Sequence, residues 1–407
     1  MKILIRGPLL SLSGYGNHAR QVLEYVFEKH KDDEIFCDVT SWGNTSWNLS
    51  EEYLPKGIFD KIIDNFISEA DLQSFIKTGK SYFDESYQIC FPNEWEYNIA
   101  KKNFGFFAGI ETTICCEKWL DNINLMDKVI VPSKHALNSI KNAAQHYCLP
   151  KIKANIQIIP EWFYDDFLHE NNSNMHFLEK VKTDKNVLII GQLNKINPET
   201  DRKNILKTLE STIEALEGTN CGVILKMFTE NNSFIDFCKT KKIIRTYIDI
   251  NFKNKDIPKI YLLHGNMKNN EIVSLYTDKK ISCLVSGTRG EGFGLTFLEA
   301  AAAGIPIVAT KWSAYDEFLE YYLEVDCTLK KIPSELYSTN SSFENYSKIW
   351  VEDSLWAEFD KKSMIQNIKK VIFNEYDKNS VLSQRKSILN KYSKNTIMSI
   401  YNKQFGR

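Results

Sequence analysis

The sequence predicts an α/β protein with two doubly wound parallel sheets, each in its own domain. The chain has 407 residues, which is too long for one ordinary hydrophobic core. A strand, a glycine-rich loop, a helix and a second strand follow one another between Ile281 and Thr310, and this unit is half of a doubly wound sheet. A second glycine loop precedes a helical pattern close to the N-terminus, at the place where the first such sheet begins.

Composition and charge are those of a well-packed globular chain. Hydrophobic residues make up 43% of the sequence, and 51 basic residues face 52 acidic ones. This balance argues against an overall electrostatic grip on nucleic acid and leaves a local basic groove possible. The nine cysteines are scattered without a C-x-x-C pair, which predicts reduced thiols in a cytoplasmic protein and no zinc site. The short N-terminal apolar run MKILI predicts neither a signal peptide nor a transmembrane segment.

The first half of the chain alternates strand and helix patterns. Short apolar runs predict strands at Lys2–Ile5, Glu34–Thr40, Tyr87–Phe91, Phe104–Ile110, Lys128–Val131 and Ile156–Ile159. After the first strand, a loop with Gly7, Gly14 and Gly16 leads into a helix, for which Asn17 is a candidate cap. Ser133 is the predicted N-cap of a later helix.

Polar and aromatic side chains follow several of these strands, at the ends where ligands gather in open α/β sheets. Trp42 and Trp47 stand among small polar residues, so they either stack on a sugar or a base or pack beneath their own loop. Asn93 and Glu111 follow the next two strand ends. Glu111 is a candidate acceptor-side carboxylate, with a capping role as the alternative.

The second half repeats the alternation. Strands are predicted at Asn186–Ile190, Val223–Phe228, Ile260–Leu263, Ile281–Ser286 and Ile305–Thr310. Helices are predicted at Ile205–Leu216, Asn269–Tyr276, Leu295–Ala303, Asp360–Phe373 and Val381–Tyr392. Asp326 to Ser347 is loop-like, and Gly304 is a plausible helix stop. We expect domains at 1–175 and 185–385, with a final helix in 386–407.

The loop GTRGEGFG before the helix at Leu295 predicts an anion site. The first amide groups of a helix lack internal partners, and the helix dipole favours negative charge there. Glu291 lies inside the loop, and Glu299 lies about one turn into the helix with its side chain leaning back towards the loop. A ligand with phosphates and a sugar would use both features. The alternative is an ordinary turn in which Glu299 points to solvent.

A basic pair precedes an earlier helix. Arg202 and Lys203 lie just before Ile205, where positive charge is unfavourable to the helix dipole. Their placement indicates either an anionic ligand or a solvated face.

The residues around this loop carry a resemblance. Glu291-Gly292-Phe293-Gly294-Leu295, followed by Glu299-Ala300 and Gly304-Ile305-Pro306, resembles the E-x7-E signature of family 4 glycosyltransferases. These are retaining enzymes that use nucleotide-sugar donors and have the GT-B architecture, two Rossmann-like domains facing a cleft. The resemblance implies this fold, with a C-terminal helix that returns to the first domain.

The resemblance also implies roles for residues of the second domain. Glu291 would lie by the donor sugar, Glu299 would bind the ribose hydroxyls, and the amides of Phe293 to Leu295 would hold the pyrophosphate. Arg202 and Lys203 resemble the basic pair that neutralises this pyrophosphate. Further donor-binding candidates by the resemblance are Gln192, Arg289, Gly292, Gly294, His264 and Gly265. Gln192 stands where the family often has arginine, so phosphate neutralisation rests on Lys203 with Arg202 or draws on Arg289.

The N-terminal part carries a second resemblance. ILIRGPLLSLSGYGNHARQ, WGNTSWNL, FPNEWEYNIAK and GIETT are similar to glycosyltransferases of large tailed phages. By the first resemblance, that to family 4 glycosyltransferases, Gly14, Tyr15 and Gly16 would line the cleft beside the transferred sugar. The second resemblance implies a hydroxymethylated pyrimidine in phage DNA as the acceptor, with 5-hydroxymethylcytosine as the candidate, and the flipped-out base would stack on Trp42, Trp47 and Trp95. A bacterial surface glycan or lipid-linked sugar is the competing acceptor.

The sequence therefore predicts a retaining glycosyltransferase with a UDP-sugar as the expected donor. The candidate catalytic residues are Glu291, Lys203, Arg202 and Glu111, and neither a metal nor a further cofactor is expected. The location would be the cytoplasm, that of the host if the chain is phage-encoded. A sugar-nucleotide epimerase and a non-catalytic nucleotide-sugar or DNA-binding protein are the alternatives.

Overall fold

The computed structural model describes residues 1–43, 45–47, 51–77, 82–149, 152–169, 175–193, 195–337 and 349–406. These residues form two compact units. The first unit contains Met1–Trp162, a short segment that ends at Val351, and the last helix. The second unit contains the chain from Phe163 to Ser393, apart from that segment.

Parallel strands form the sheet of the first unit. The strands are β1 (Lys2–Gly7), β2 (Glu34–Val39), β3 (Phe83–Ile89), β4 (Ala100–Phe106), β5 (Lys128–Val131) and β6 (Ile156–Ile158). They pair in the order β2-β1-β3-β4-β5-β6. Connecting helices are α1 (Gly14–Lys29), α2 (Ile58–Asp64), α3 (Glu69–Lys77), α4 (Glu117–Asn124) and α5 (Lys134–His146). All pairings are parallel, as expected when crossover connections join the strands.

Of the two helix caps predicted in this unit, one is confirmed and the other is wrong. Ser133 caps α5 by accepting a hydrogen bond from the Ala136 amide, as predicted. Asn17 does not cap α1. The cap is Ser13, whose hydroxyl accepts from the Gly16 amide, and Asn17 is buried one turn inside the helix.

The second unit repeats this architecture. Its parallel strands are β7 (Asn186–Gln192), β8 (Gly222–Phe228), β9 (Lys259–Leu263), β10 (Ile281–Ser286), β11 (Ile307–Thr310) and β12 (Leu323–Val325). They pair in the order β12-β11-β10-β7-β8-β9. The helices are α6 (His176–Lys180), α7 (Ile205–Ala215), α8 (Phe234–Asn251), α9 (Asn269–Thr277), α10 (Leu295–Ala303), α11 (Lys361–Ile372) and α12 (Lys378–Lys391). Buried aliphatic side chains line both faces of the central strand β10, as parallel sheets require.

A small antiparallel pair corrects the expectation of a loop after Asp326. Here β13 (Cys327–Lys331) pairs with β14 (Leu355–Phe359), with Leu329 opposite Ala357. The first of these strands is mostly polar and exposed, so its sequence carries little strand signal and its partner lies far along the chain. The remainder of that expected loop, from residue 338, lies outside the described residues.

The last helix, α13 (Lys394–Phe405), belongs to the first unit, as the predicted architecture requires. The ring of Tyr401 stacks on Tyr25 of α1 with 4.6 Å between centroids. Phe405 adds contacts to Tyr87 and Phe104 of the sheet. Within the described ranges, no helix combines the length and the apolarity needed to cross a bilayer.

Candidate functional site

The glycine loop at 287–294 joins β10 to α10 and ends on a glycine that the local packing requires. Gly294 is the N-cap of α10 and has φ of 98°. A Cβ atom there would lie 3.0 Å from Phe297 Cδ2 and 3.1 Å from Tyr315 Cβ. Glycine also leaves the first amides of α10 without a capping side chain. The helix ends at Gly304 with φ of 79°, so the predicted stop is confirmed.

Glu291 is the centre of a buried polar network in this loop. Lys203 Nζ lies 2.7 Å from Oε1 and 2.9 Å from Oε2 of this carboxylate. The Thr288 hydroxyl donates to Oε1 at 2.8 Å, and Arg202 Nη1 lies 3.4 Å from Oε2. Burial alone would raise the pKa of Glu291, but the charges of Lys203 and Arg202 outweigh it and hold that pKa below its ordinary value. The carboxylate is therefore ionised at neutral pH.

The start of α7 supplies both cations. Arg202 Nη1 donates to the Gly290 carbonyl at 2.6 Å, which ties this segment to the glycine loop. Asn204 is the N-cap of α7 and adopts the left-handed region at φ 53°. The nitrogen and oxygen of its buried side-chain amide have no hydrogen-bond partner among the described residues. The structure thus brings Arg202, Lys203 and Glu291 together, although 88 residues separate Lys203 from Glu291.

Glu299 does not point to solvent. It is 6% exposed and lies on α10 next to the hydroxyl of Tyr276. Burial raises the pKa of Tyr276, and the neighbouring Glu299 charge raises it further. The alternative in which this carboxylate is merely solvated is therefore wrong.

Arg289 is not available to a ligand, which corrects its expected role. The side chain is fully buried, with Nε and Nη2 lying 2.8 and 2.7 Å from Glu358 Oε2. Nη1 donates to the carbonyls of Pro198 and Asp201, both at 2.7 Å. All three nitrogens are engaged within the protein, so Arg289 is part of the loop's support.

Three further predicted donor residues lie at the carboxyl ends of two strands of this sheet, β7 and β9. Gln192 ends β7 and donates through Nε2 to the Thr229 carbonyl at 3.1 Å. His264 follows β9 and places Nε2 2.9 Å from Asp236 Oδ2. Gly265 has φ of 97°, and the Lys226 ammonium donates to its carbonyl. Burial lowers the pKa of Lys226 to about 8.

In the first unit, Tyr15 joins an aromatic cluster beyond the sheet. Its hydroxyl donates to the Cys90 carbonyl at 3.3 Å and accepts from the Ala108 amide at 3.1 Å. Its ring stacks on Trp42 at 4.0 Å. Burial raises the pKa of Tyr15, and the charges of Glu94 and Glu111 raise it further. Tyr15 stands between Gly14, the exposed first residue of α1, and Gly16, which packs against the Ser11 carbonyl.

The cluster continues through Phe91 to Trp119. Trp42 and Phe91 have ring centroids 4.8 Å apart, and Phe91 and Trp119 are stacked at 5.3 Å. Asn93 accepts a hydrogen bond from Trp119 Nε1 at 2.9 Å, so its amide oxygen is used inside the protein. Trp47 lies apart from these rings and is 42% exposed.

Trp95 is a core residue and is corrected as an acceptor-stacking candidate. It is 6% exposed, and its indole packs on Gly105, where an added Cβ would meet Cζ2 at 2.6 Å.

Two residues of the network around Glu291 in the second unit, Thr288 and Ser313, were not predicted. Both bond to Glu291, and small hydroxyl residues near a glycine loop carry no distinctive sequence signal.

Comparisons with known proteins fit this geometry. Residues 252–322, which include the glycine loop and α10, match the model of the family "Glycosyl transferases group 1". No curated protein sequence matches the chain.

Solved structures resemble the whole chain at low identity. HepE from Anabaena in complex with UDP and glucose is 11% identical, with 100% of this chain and 99% of that chain covered and a TM-score of 0.62. A glycosyltransferase from Rickettsia africae is 15% identical, with 100% and 99% covered and a TM-score of 0.61. A trehalose-6-phosphate structure from E. coli bound with UDP-2-fluoro glucose is 10% identical, with 99% and 98% covered and a TM-score of 0.61. The fold is therefore GT-B, as predicted.

Proposed function

We propose that this protein transfers a sugar from a nucleotide-sugar donor to a hydroxyl group of an acceptor. The observation that carries the proposal is the buried Glu291, kept ionised by Lys203 in a loop that ends on the glycine-capped start of α10. The family match over residues 252–322 supports it, because that segment contains this loop.

The charges around the loop suit a donor diphosphate. Lys203 and Arg202 contribute two positive charges against one from Glu291, so the cluster keeps a net charge of about +1 beside a helix N-terminus. We assign the diphosphate to these cations and to the amides of Phe293 to Leu295, and the ribose hydroxyls to Glu299. A UDP-sugar is the proposed donor, and the UDP complexes among the similar structures support this choice.

The proposed chemistry retains the anomeric configuration, as in the family 4 enzymes. The bond from the anomeric carbon to the diphosphate oxygen breaks, and the acceptor oxygen bonds to that carbon on the same face. The leaving phosphate takes the acceptor's proton. Lys203, Arg202 and the α10 N-terminus stabilise the charge that develops on the diphosphate. This scheme gives no role to a divalent metal.

The aromatic cluster of the first unit favours an acceptor with a planar ring. Tyr15 and Trp42 are only partly buried, and stacked aromatic rings attract bases. We therefore propose 5-hydroxymethylcytosine in DNA, of the kind phages carry, as the first acceptor to test. A bacterial glycan or lipid-linked sugar is the alternative.

The nine cysteines are all free thiols, which supports a reducing compartment such as the cytoplasm.

Mass spectrometry of donor hydrolysis and transfer tests the function. The protein is incubated with UDP-, GDP- and dTDP-sugars, and with either DNA containing 5-hydroxymethylcytosine or lipid-linked glycans, with and without chelator. We expect one sugar mass to be added to the base, unaffected by chelator. Lys203→Ala should lower turnover by about a hundredfold or more, because it removes charge stabilisation of the leaving group. Lys311→Ala, which removes an exposed lysine paired with Glu324, is the control and should be near wild type.

Each other result has a definite meaning. Transfer to glycans alone would keep the glycosyltransferase and replace its acceptor. Binding of a donor without hydrolysis or transfer in any mixture would identify a non-catalytic protein. Release of an altered sugar without an acceptor would indicate an epimerase. NMR of the product's anomeric configuration decides retention, and an inverted product would overturn the scheme.

A further inference from the structure

Ser313 adopts a backbone conformation that is normally left to glycine. It follows β11 in a short turn and has φ of 101° and ψ of −172°. A side chain in this region costs about 1–3 kcal/mol and persists only where the surrounding structure fixes it. The residue is 8% exposed, so its conformation is set by the protein interior.

The hydroxyl of Ser313 holds both backbone polar groups of Glu291. Oγ accepts a hydrogen bond from the Glu291 amide at 2.6 Å and donates one to the Glu291 carbonyl at 2.7 Å. A hydroxyl has one donor and two acceptor positions, so a single side chain can make both bonds. The two bonds join the turn after β11 to the middle of the glycine loop.

The turn is fixed from its other side by Tyr315. This side chain is fully buried, and its hydroxyl donates to the Thr310 carbonyl at 2.6 Å. Its ring stacks on Phe297 of α10 with 3.9 Å between centroids. Tyr315 therefore anchors the turn to both β11 and α10, which explains how the conformation of Ser313 is maintained.

We propose that Ser313 is the positioning residue that sets the place of Glu291 in the donor site. Glu291 is then held at two ends, its carboxylate by Lys203 and Thr288 and its backbone by Ser313. A group that meets a reacting sugar must be held to within a fraction of an ångström, and a loop rich in glycine cannot do this alone. The inference rests on the proposed function for the identity of the ligand. The two hydrogen bonds from Ser313 to the Glu291 backbone, which we call the clamp, are independent of that function.

Two substitutions distinguish the effect of losing the hydroxyl from the effect of the strained backbone. Ser313→Gly removes the hydroxyl and suits the observed φ, whereas Ser313→Ala removes the hydroxyl and keeps the strain. The glycine variant should unfold at a higher temperature than the alanine variant. Both should lower kcat by roughly tenfold to a hundredfold, with donor Kd changed less than about threefold because the diphosphate and ribose contacts remain.

Ser211→Ala is the matched control, since it removes a buried hydroxyl that bonds to the Lys207 carbonyl within α7. Its kcat should stay near that of the wild type. Wild-type kcat in Ser313→Gly would overturn the inference. So would equal losses of kcat in Ser313→Gly and in the Ser211→Ala control.

Hydrogen exchange decides the inference even if the wild type turns over no donor. If the wild type neither hydrolyses nor transfers any donor, the proposed function is refuted, but the inference about Ser313 is not. The Glu291 amide bonds to Ser313 Oγ, so its exchange should be about tenfold faster in Ser313→Gly than in the wild type. Unchanged exchange of this amide would refute the clamp.

Discussion

Two loops lead from a parallel strand into a helix, one in each unit, and they treat the first amides of their helices differently. The first loop, residues 8–13, ends at Ser13, whose hydroxyl accepts from the Gly16 amide at 3.0 Å. The second loop, residues 287–294, ends at Gly294, which has no side chain to offer. An amide in the first turn of α1 thus bonds to the hydroxyl of Ser13. The first amides of α10 have no such capping side chain, so the positive end of its dipole can act on a ligand in front of the helix.

A buried arginine fixes each loop, but it does so in a different way in the two units. Arg20 Nη1 donates to the carbonyls of Leu9 and Ser11 at 3.1 and 2.7 Å. In the second loop the arginine is Arg289 itself, whose Nη1 donates to the carbonyls of Pro198 and Asp201 before α7 and whose other nitrogens pair with Glu358. The first arginine therefore bonds to the carbonyls of its loop, whereas the second ties its loop to neighbouring segments. The distinguishing features of the second loop are its uncapped helix and its own charged group, Glu291 with Lys203.

The largest effect is expected at Arg289, because its side chain ties the second loop to neighbouring segments and does not bind a ligand. Arg289→Leu should reduce the free energy of unfolding by about 3–5 kcal/mol, because it leaves buried carbonyls and the Glu358 charge without this partner. The loss should fall at the lower end, since Lys207 also contacts Glu358 at 3.0 Å. Chemical denaturation measures it, with the exposed Arg245→Leu as the control. Wild-type stability with weakened donor binding would instead make Arg289 a ligand residue.

Gly294→Ala probes the glycine cap of the second loop. The substitution should reduce the free energy of unfolding by about 1–3 kcal/mol, because φ of 98° is unfavourable for alanine. The added Cβ would also press on Phe297 and Tyr315 at 3.0–3.1 Å. Denaturation and donor titration together test this. An alanine variant as stable as the wild type would show that the cap does not need glycine.

The sequence was sufficient where the deciding interactions are local. The strand Lys128–Val131 and the helix Leu295–Ala303 were predicted with their observed bounds. In the helix, a run of strong helix formers stands between two glycines that both adopt positive φ. The family resemblance assigns both Lys203 and Glu291 to the donor site, but it does not predict their direct pairing, because no local pattern connects residues so far apart.

The sequence was insufficient where a distant partner decides the outcome. Arg289 looked available because its partner Glu358 lies on β14, a strand that was not predicted. The sequence suggests Trp95 as a binding residue, but Gly105 on the following strand β4 makes room for its ring in the core. The αL conformation of Asn204 and the strain at Ser313 likewise depend on packing that no sequence window contains.

The smallest effect on stability is expected at Gly14, which directly follows the first loop. Gly14 is the exposed first residue of α1, and an added Cβ would meet nothing within 4 Å. Gly14→Ala should therefore leave the free energy of unfolding unchanged or raise it by up to about 1 kcal/mol, because alanine has less freedom to lose on folding. If this loop lies beside the transferred sugar, as the resemblance implies, the donor KM should rise severalfold without any loss of stability. Denaturation and initial-rate kinetics of the same preparation separate the two quantities. A destabilised variant would show that the start of α1, like that of α10, needs its glycine for the fold, and an unchanged donor KM would confine donor recognition to the second loop.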